Sequence, residues 1–160
     1  MSIDRARAHL RALGMEERVL EFEVSSATVE LAAAAVGCEP ARIAKTLSFH
    51  VGEHVALVVA AGDARIDNPK FKAHFGCKAK MLKAEEAEPL VGHGVGGVCP
   101  FGVNEGVEVC LDESLRRFDT VYPAAGSAAS AVRLSPDELA RCSAPCTWVD
   151  VCKIPEADRG

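Results

Sequence analysis

The chain has 160 residues, is 49% hydrophobic and carries a formal net charge of −5. That is enough to bury a sizeable core and short enough to predict one domain over 1–160. A negative chain is a poor coat for long nucleic acid, DNA included, because such binding is driven by releasing counterions from many phosphates. No apolar run approaches 18 residues and the start, Met1-Ser2-Ile3-Asp4-Arg5-Ala6-Arg7, leads into an amphipathic pattern rather than a signal-peptide core, so a soluble cytoplasmic protein without a membrane partner is expected.

The apolar positions Ile3, Ala6, Leu10 and Leu13 recur at helical spacing behind Ser2 and Asp4, and Gly14 ends them, which predicts a helix over 2–13. Residues 18–24 alternate, with Leu20, Phe22 and Val24 opposite Glu21 and Glu23, as a half-buried strand does. Ser25 and Ser26 open an alanine-rich helix through Val36 that stops at Gly37. A helical turn over 39–43 leads into strands 45–51 and 54–60, joined across Gly52-Glu53 as a tight hairpin.

Asp67-Asn68-Pro69 starts a further helix, with Phe71 and Phe75 on one face and Gly76 at the end. A strand over 78–82 and a helix over 84–91 follow. Residues 92–106 hold six glycines and Pro100, interleaved with Val95, Val98, Phe101 and Val103, which marks a shaped loop rather than a linker. Then come a strand over 107–111, a short helix over 113–118, a strand over 120–122 and a small-residue loop over 124–130. Ser135-Pro136-Asp137-Glu138 is a capping box with proline at the first helical position, and a strand over 148–151 closes the sheet. The number of strands and the antiparallel hairpin favour an α+β fold with a mixed, curled sheet over a doubly wound one.

Seven cysteines, at 38, 77, 99, 110, 142, 146 and 152, form no Cys-x-x-Cys pair and no Cys/His spacing typical of zinc, so reduced core thiols and no metal are expected. Five lysines, Lys70, Lys72, Lys78, Lys80 and Lys83, lie in a stretch without an acid. Lys78 and Lys80 would share a strand face, either as a small phosphate-facing patch or as a solvated surface.

One lysine stands inside the apolar strand Ile43-Ala44-Lys45-Thr46-Leu47-Ser48-Phe49. Such a residue either snorkels to water or meets an anion in a pocket. The loop Gly96-Gly97-Val98-Cys99-Pro100 offers backbone N–H groups that suit the same pocket, although a glycine-rich loop alone is often only a turn. His50 and His93 flank these segments as proton shuttles or, more commonly, structural side chains.

With Ile43-Ala44-Lys45-Thr46-Leu47, Gly96-Gly97-Val98-Cys99-Pro100-Phe101-Gly102 and Ala125-Gly126-Ser127 ahead of Val132-Arg133-Leu134-Ser135-Pro136-Asp137-Glu138-Leu139, the chain resembles the YbaK/prolyl-tRNA synthetase-associated editing domain family over residues 20–152. The resemblance implies a mixed, partly barrel-like sheet surrounded by helices. It also implies a free-standing deacylase that hydrolyses the ester of a mischarged tRNA carrying a small amino acid, with no metal or organic cofactor. The partner would be the aminoacylated 3′ end of tRNA, with an aminoacyl-tRNA synthetase as a second candidate.

On this resemblance Lys45, Gly96 and Pro100 are the expected catalytic positions, and Thr46, Gly97, Val98, Cys99, Gly126 and Ser127 the expected substrate-binding ones. Lys45 would hold the terminal phosphate or the carbonyl side of the ester. Cys99 invites a thiolate mechanism, but no histidine has a motif relation to it and the family does not depend on a cysteine there, so wall or packing is its expected role. Water would attack the ester, aided by the tRNA's ribose hydroxyl. Ala129 stands where relatives commonly carry asparagine and Ala131 where others carry an acidic or polar residue, a thinned wall that leaves the amino acid open. The alternative is a non-catalytic tRNA- or synthetase-binding module that retains the pocket.

Overall fold

The computed structural model describes residues 2–23 and 28–155. Helix α1, Ser2–Ala12, buries Ala6 and Leu10 completely. It stops one residue short of Leu13, which is 39% exposed and does not join the apolar face. Strand β1, Val19–Glu21, leaves Leu20 exposed, and the expected strand end at Val24 and helix start at Ser25 and Ser26 lie outside the described residues. Helix α2, Val29–Val36, is capped by the Thr28 hydroxyl, which accepts from the Leu31 N–H at 3.1 Å.

Strands β2, Ile43–Val51, and β3, His54–Ala61, form the expected hairpin, turning at Gly52 with φ 60°. The pairing sets Lys45 opposite Ala60. Two-residue strand β4, Arg65–Ile66, leads to helix α3, Asn68–Phe75, where an Asp67 carboxylate oxygen accepts from the Lys70 N–H at 3.1 Å. Helix α4, Ala84–Val91, follows, and the Glu86 carboxylate accepts from the Lys83 N–H at 2.8 Å in its first turn. Strand β5, Glu108–Asp112, a 3-10 turn at Glu113–Arg117, and strands β6, Tyr122–Pro123, and β7, Ser130–Val132, come next. Helix α5, Pro136–Cys142, carries the predicted capping box, with Ser135 and Glu138 bonded reciprocally at 2.9 and 3.1 Å. Strands β8, Thr147–Val149, and β9, Cys152–Lys153, end the described chain.

β3 is apolar on both faces from Val55 to Ala61, so it must be covered on both, and it takes the centre of the main sheet. Among the described residues that sheet runs β6-β2-β3-β5-β8, with β2 antiparallel to β3 and the β6-β2, β3-β5 and β5-β8 pairs parallel. β1 pairs with β7 and β4 with β9, both antiparallel. This is the expected α+β fold with a mixed sheet, and its core includes Phe49 against Phe71 with ring centroids 4.8 Å apart.

The sheet differs from expectation at its edges. Over 78–82 there is one bridge, Met81 to Phe49, with two backbone hydrogen bonds, so the segment leans on the end of β2 without forming a ladder. The loop expected to run through Ser130 gives that residue to β7. The closing strand ends at Val149 rather than Val151, because the Val151 N–H donates at 2.9 Å to the buried side-chain carboxylate of Asp112, at the end of β5, instead of to a strand backbone.

Candidate functional site

Lys45, Thr46 and Ser48 of β2 line a cavity of 380 Å³, within the usual size range for small-molecule sites. Gly96 and Val98 of the glycine loop, Met81 and Lys83 beyond the β2 edge, and Ser130 and Ala131 at the start of β7 complete the walls that matter here. The hairpin, the glycine loop and the late loop therefore meet at one place. Of the expected site residues, Lys45, Thr46, Gly96 and Val98 lie on the lining. Gly97, Cys99, Pro100, Gly126 and Ser127 do not reach it, and are buried or half-buried behind it.

The Lys45 ammonium is held from behind. It donates to the Ala64 carbonyl and, at 3.4 Å, to the Gly62 carbonyl. The turn that aims these carbonyls has no room for a side chain: a Cβ on Gly62 would sit 2.0 Å from the Pro40 carbonyl oxygen. Burial lowers the Lys45 pKa from its ordinary value of 10.5, opposed in part by the nearby Cys152 and Asp63. The result is a half-buried cation with fixed direction. One residue on in β2, the Thr46 hydroxyl oxygen is buried and, among the described residues, has no hydrogen-bond partner.

Behind the lining the glycine loop and the late loop touch backbone to backbone. A Cβ on Gly97 would lie 2.5 Å from the Gly126 carbonyl carbon and oxygen and 2.6 Å from the Ser127 nitrogen, so glycine at 97 sets the distance between the loops. The Gly97 N–H donates to the Gly94 carbonyl at 3.0 Å, which commits that donor to the turn. In the late loop, the Ser130 hydroxyl accepts from the Ala125 and Ser127 N–H groups at 3.1 and 3.3 Å and donates to the Ser127 carbonyl at 3.0 Å. The Ser127 hydroxyl accepts from the Ala129 N–H at 3.2 Å. Both serines thus fold their own loop, and Ala131 presents only a methyl group to the cavity.

Sequence spacing missed one contact. The ring of His93 lies against Cys99, with the sulfur 3.6 Å from Nε2, and both residues are fully buried. This is not an activated thiol. His93 Nε2 is 2.6 Å from the Phe101 carbonyl, which can only accept, so that nitrogen carries the proton and has no lone pair for the thiol. Burial lowers the His93 pKa and pushes the Cys99 thiol up to about 12. His93 braces the glycine loop from inside, and His50 is paired outward with Glu86 at 3.2 Å; neither lines the cavity. Ser48 was also missed, though it shares the Thr46 face by strand alternation. Among the described residues no cluster of His, Cys, Asp or Glu suits a metal ion.

An α+β fold thus brings a strand lysine, a glycine loop and a small-residue loop to one cavity. Residues 23–142 match the model of the aminoacyl-tRNA editing domain, and the chain belongs to that family. It is 52% identical over 154 residues to the uncharacterized protein YwhH of Bacillus subtilis (strain 168), covering 96% of this chain and 98% of YwhH. A proline--tRNA ligase of Bacillus cytotoxicus is 32% identical over 88 residues, which are 54% of this chain but 16% of the ligase. A solved structure described as a candidate trans-editing enzyme for prolyl tRNA synthetase has a TM-score of 0.85 at 30% identity, covering 95% of this chain and 97% of that one.

Proposed function

We propose that the chain is an aminoacyl-tRNA deacylase acting in trans on a mischarged tRNA that carries a small amino acid. The observation that carries this reading is a cavity lined by Lys45, whose ammonium is anchored on the Gly62 and Ala64 carbonyls, and by Thr46, whose hydroxyl has no partner, with no activated nucleophile on its lining among the described residues. Water adds to the ester carbonyl carbon, the bond to the ribose oxygen breaks, and free amino acid and tRNA with its terminal hydroxyl restored leave. Lys45 holds the terminal phosphate or the charge that develops on the carbonyl oxygen, and the neighbouring ribose hydroxyl orients the water. Catalysis is then positioning and electrostatics, which preorganised groups supply without a covalent intermediate. Gly96 and Val98 form the facing wall, while Pro100, Gly97, Gly126 and Ser127 keep that wall in place. The methyl group of Ala131 and the inward-bonded Ser130 favour a small side chain over one that needs polar partners.

A panel of tRNAs mischarged with alanine, serine, threonine and cysteine tests this reading. At least one should be hydrolysed well above its rate in buffer, releasing amino acid and intact tRNA. Hydrolysis of none rejects the deacylase and leaves a binding module that keeps the pocket.

A further inference from the structure

The rim of the cavity carries two features that holding the ester does not use. Among the described residues the most exposed large apolar side chains are Val95, at 68%, and Met81, at 56%, and both line this cavity. An apolar rim left in water at the mouth of a pocket is a surface for a flat, apolar-faced group to cover. Lys83 lies on the same lining, and Lys80 and Lys78 precede it, all three exposed.

The backbone that carries these lysines is fixed. The His50 N–H donates to the Lys80 carbonyl at 2.8 Å and the Leu82 N–H to the Ser48 carbonyl at 3.0 Å, with Met81 bridged to Phe49. Ala79 and Leu82 pack on the core while Lys78 and Lys80 stay outside. Two residues of extended chain separate their side chains by about 7 Å. Lys70 is engaged by Asp150 and the Cys152 carbonyl, both at 3.0 Å, and Glu86 by His50 and the Lys83 N–H. Among the described residues Lys78, Lys80 and Lys83 have no ion-pair partner. In a chain of net charge −5, the stretch from Lys70 to Lys83 holds five lysines and no acid, and it ends at the cavity.

We infer that this edge is the path of the single-stranded 3′ end of the tRNA: the terminal base covers Val95 and Met81, and the phosphates before it lie along Lys83, Lys80 and Lys78. The path takes its substrate from the deacylase reading. Bases stack on apolar side chains whatever their sequence, and exposed ammonium groups meet phosphates as point charges.

The test is fluorescence anisotropy of a labelled, uncharged tRNA acceptor hairpin with its single-stranded 3′ end, measured over a range of salt. K78Q/K80Q removes two charges from the path, and R141Q/K153Q removes two from exposed positions elsewhere. The first pair should weaken binding about tenfold or more at 0.1 M salt, and lower the slope of log affinity against log salt by about 1.4, at about 0.7 per single-strand phosphate. The control pair should bind as the wild type does, and a hairpin trimmed of its 3′ end should bind at least about tenfold more weakly. Equal affinity of wild type and K78Q/K80Q overturns the path, as do equal losses in both pairs or no binding by the wild type. Because this binding needs no hydrolysis, the two readings fail separately. Turnover of a mischarged tRNA with unchanged K78Q/K80Q affinity sinks only the path, and selective affinity loss without turnover sinks only the deacylase.

Discussion

At Thr46 a hydroxyl is buried with no partner among the described residues, an arrangement that costs folding energy unless a ligand completes it. Thr46→Val keeps the shape and removes the hydroxyl. It should raise KM for the edited tRNA about fivefold while leaving Tm unchanged or up by a few degrees. A drop in Tm with KM unchanged would mean that the hydroxyl serves the free fold. Cys99 poses the opposite case, a group whose chemistry looks active in sequence and is silenced by its surroundings. Its thiol is fully buried, pushed up to about 12 and faces the protonated nitrogen of His93. Cys99→Ser should therefore keep deacylation within about threefold of wild type, as measured by release of labelled amino acid. A loss of about a hundredfold in a folded Cys99→Ser protein would restore the thiolate mechanism.

Among the elements, the two loops behave as one because Gly97 lets their backbones meet. Gly97→Ala forces a methyl group into the Gly126–Ser127 peptide, and a rigid backbone yields less readily than a side-chain tip. Stability should fall by about 1–3 kcal/mol in urea unfolding, and kcat/KM with it, since Gly96 and Val98 move off the cavity. Gly94→Ala is the control, because its added Cβ meets only the Glu88 carboxylate oxygen at 3.8 Å. Equal effects from the two substitutions would remove the loop contact from the account. The hairpin at Gly52, the Asp67 and Ser135 caps and the ends at Gly37 and Gly76 were legible in the sequence, because each is decided by a few neighbouring residues. The two-residue strands β4 and β9 were not, and neither was the pairing of the expected strand over 78–82, which forms only a partial edge. Their hydrogen bonds run to distant chain, and no local pattern encodes the partner.

For the whole molecule, the sheet order follows from one run that is apolar on both faces, β3, and the lysine on its neighbour β2 is placed by the same pairing. Lys45 and the Gly96 loop, which line one cavity, stood out in the sequence because each departs from its local surroundings, a charge in an apolar strand and six glycines in one loop. What they face was not readable. The carbonyls of Gly62 and Ala64 and the buried His93 ring become neighbours only through tertiary packing. Net charge misleads at this scale, since the total of −5 hides a basic edge beside the cavity.

The most direct test is single-turnover deacylation of the best mischarged tRNA by wild type and Lys45→Ala, with Tm recorded for both. The expected result is a rate loss of about a hundredfold or more, the effect of removing one preorganised electrostatic group, with Tm within a few degrees of wild type. Wild-type rates in Lys45→Ala would contradict the role given to this lysine and the site built around it.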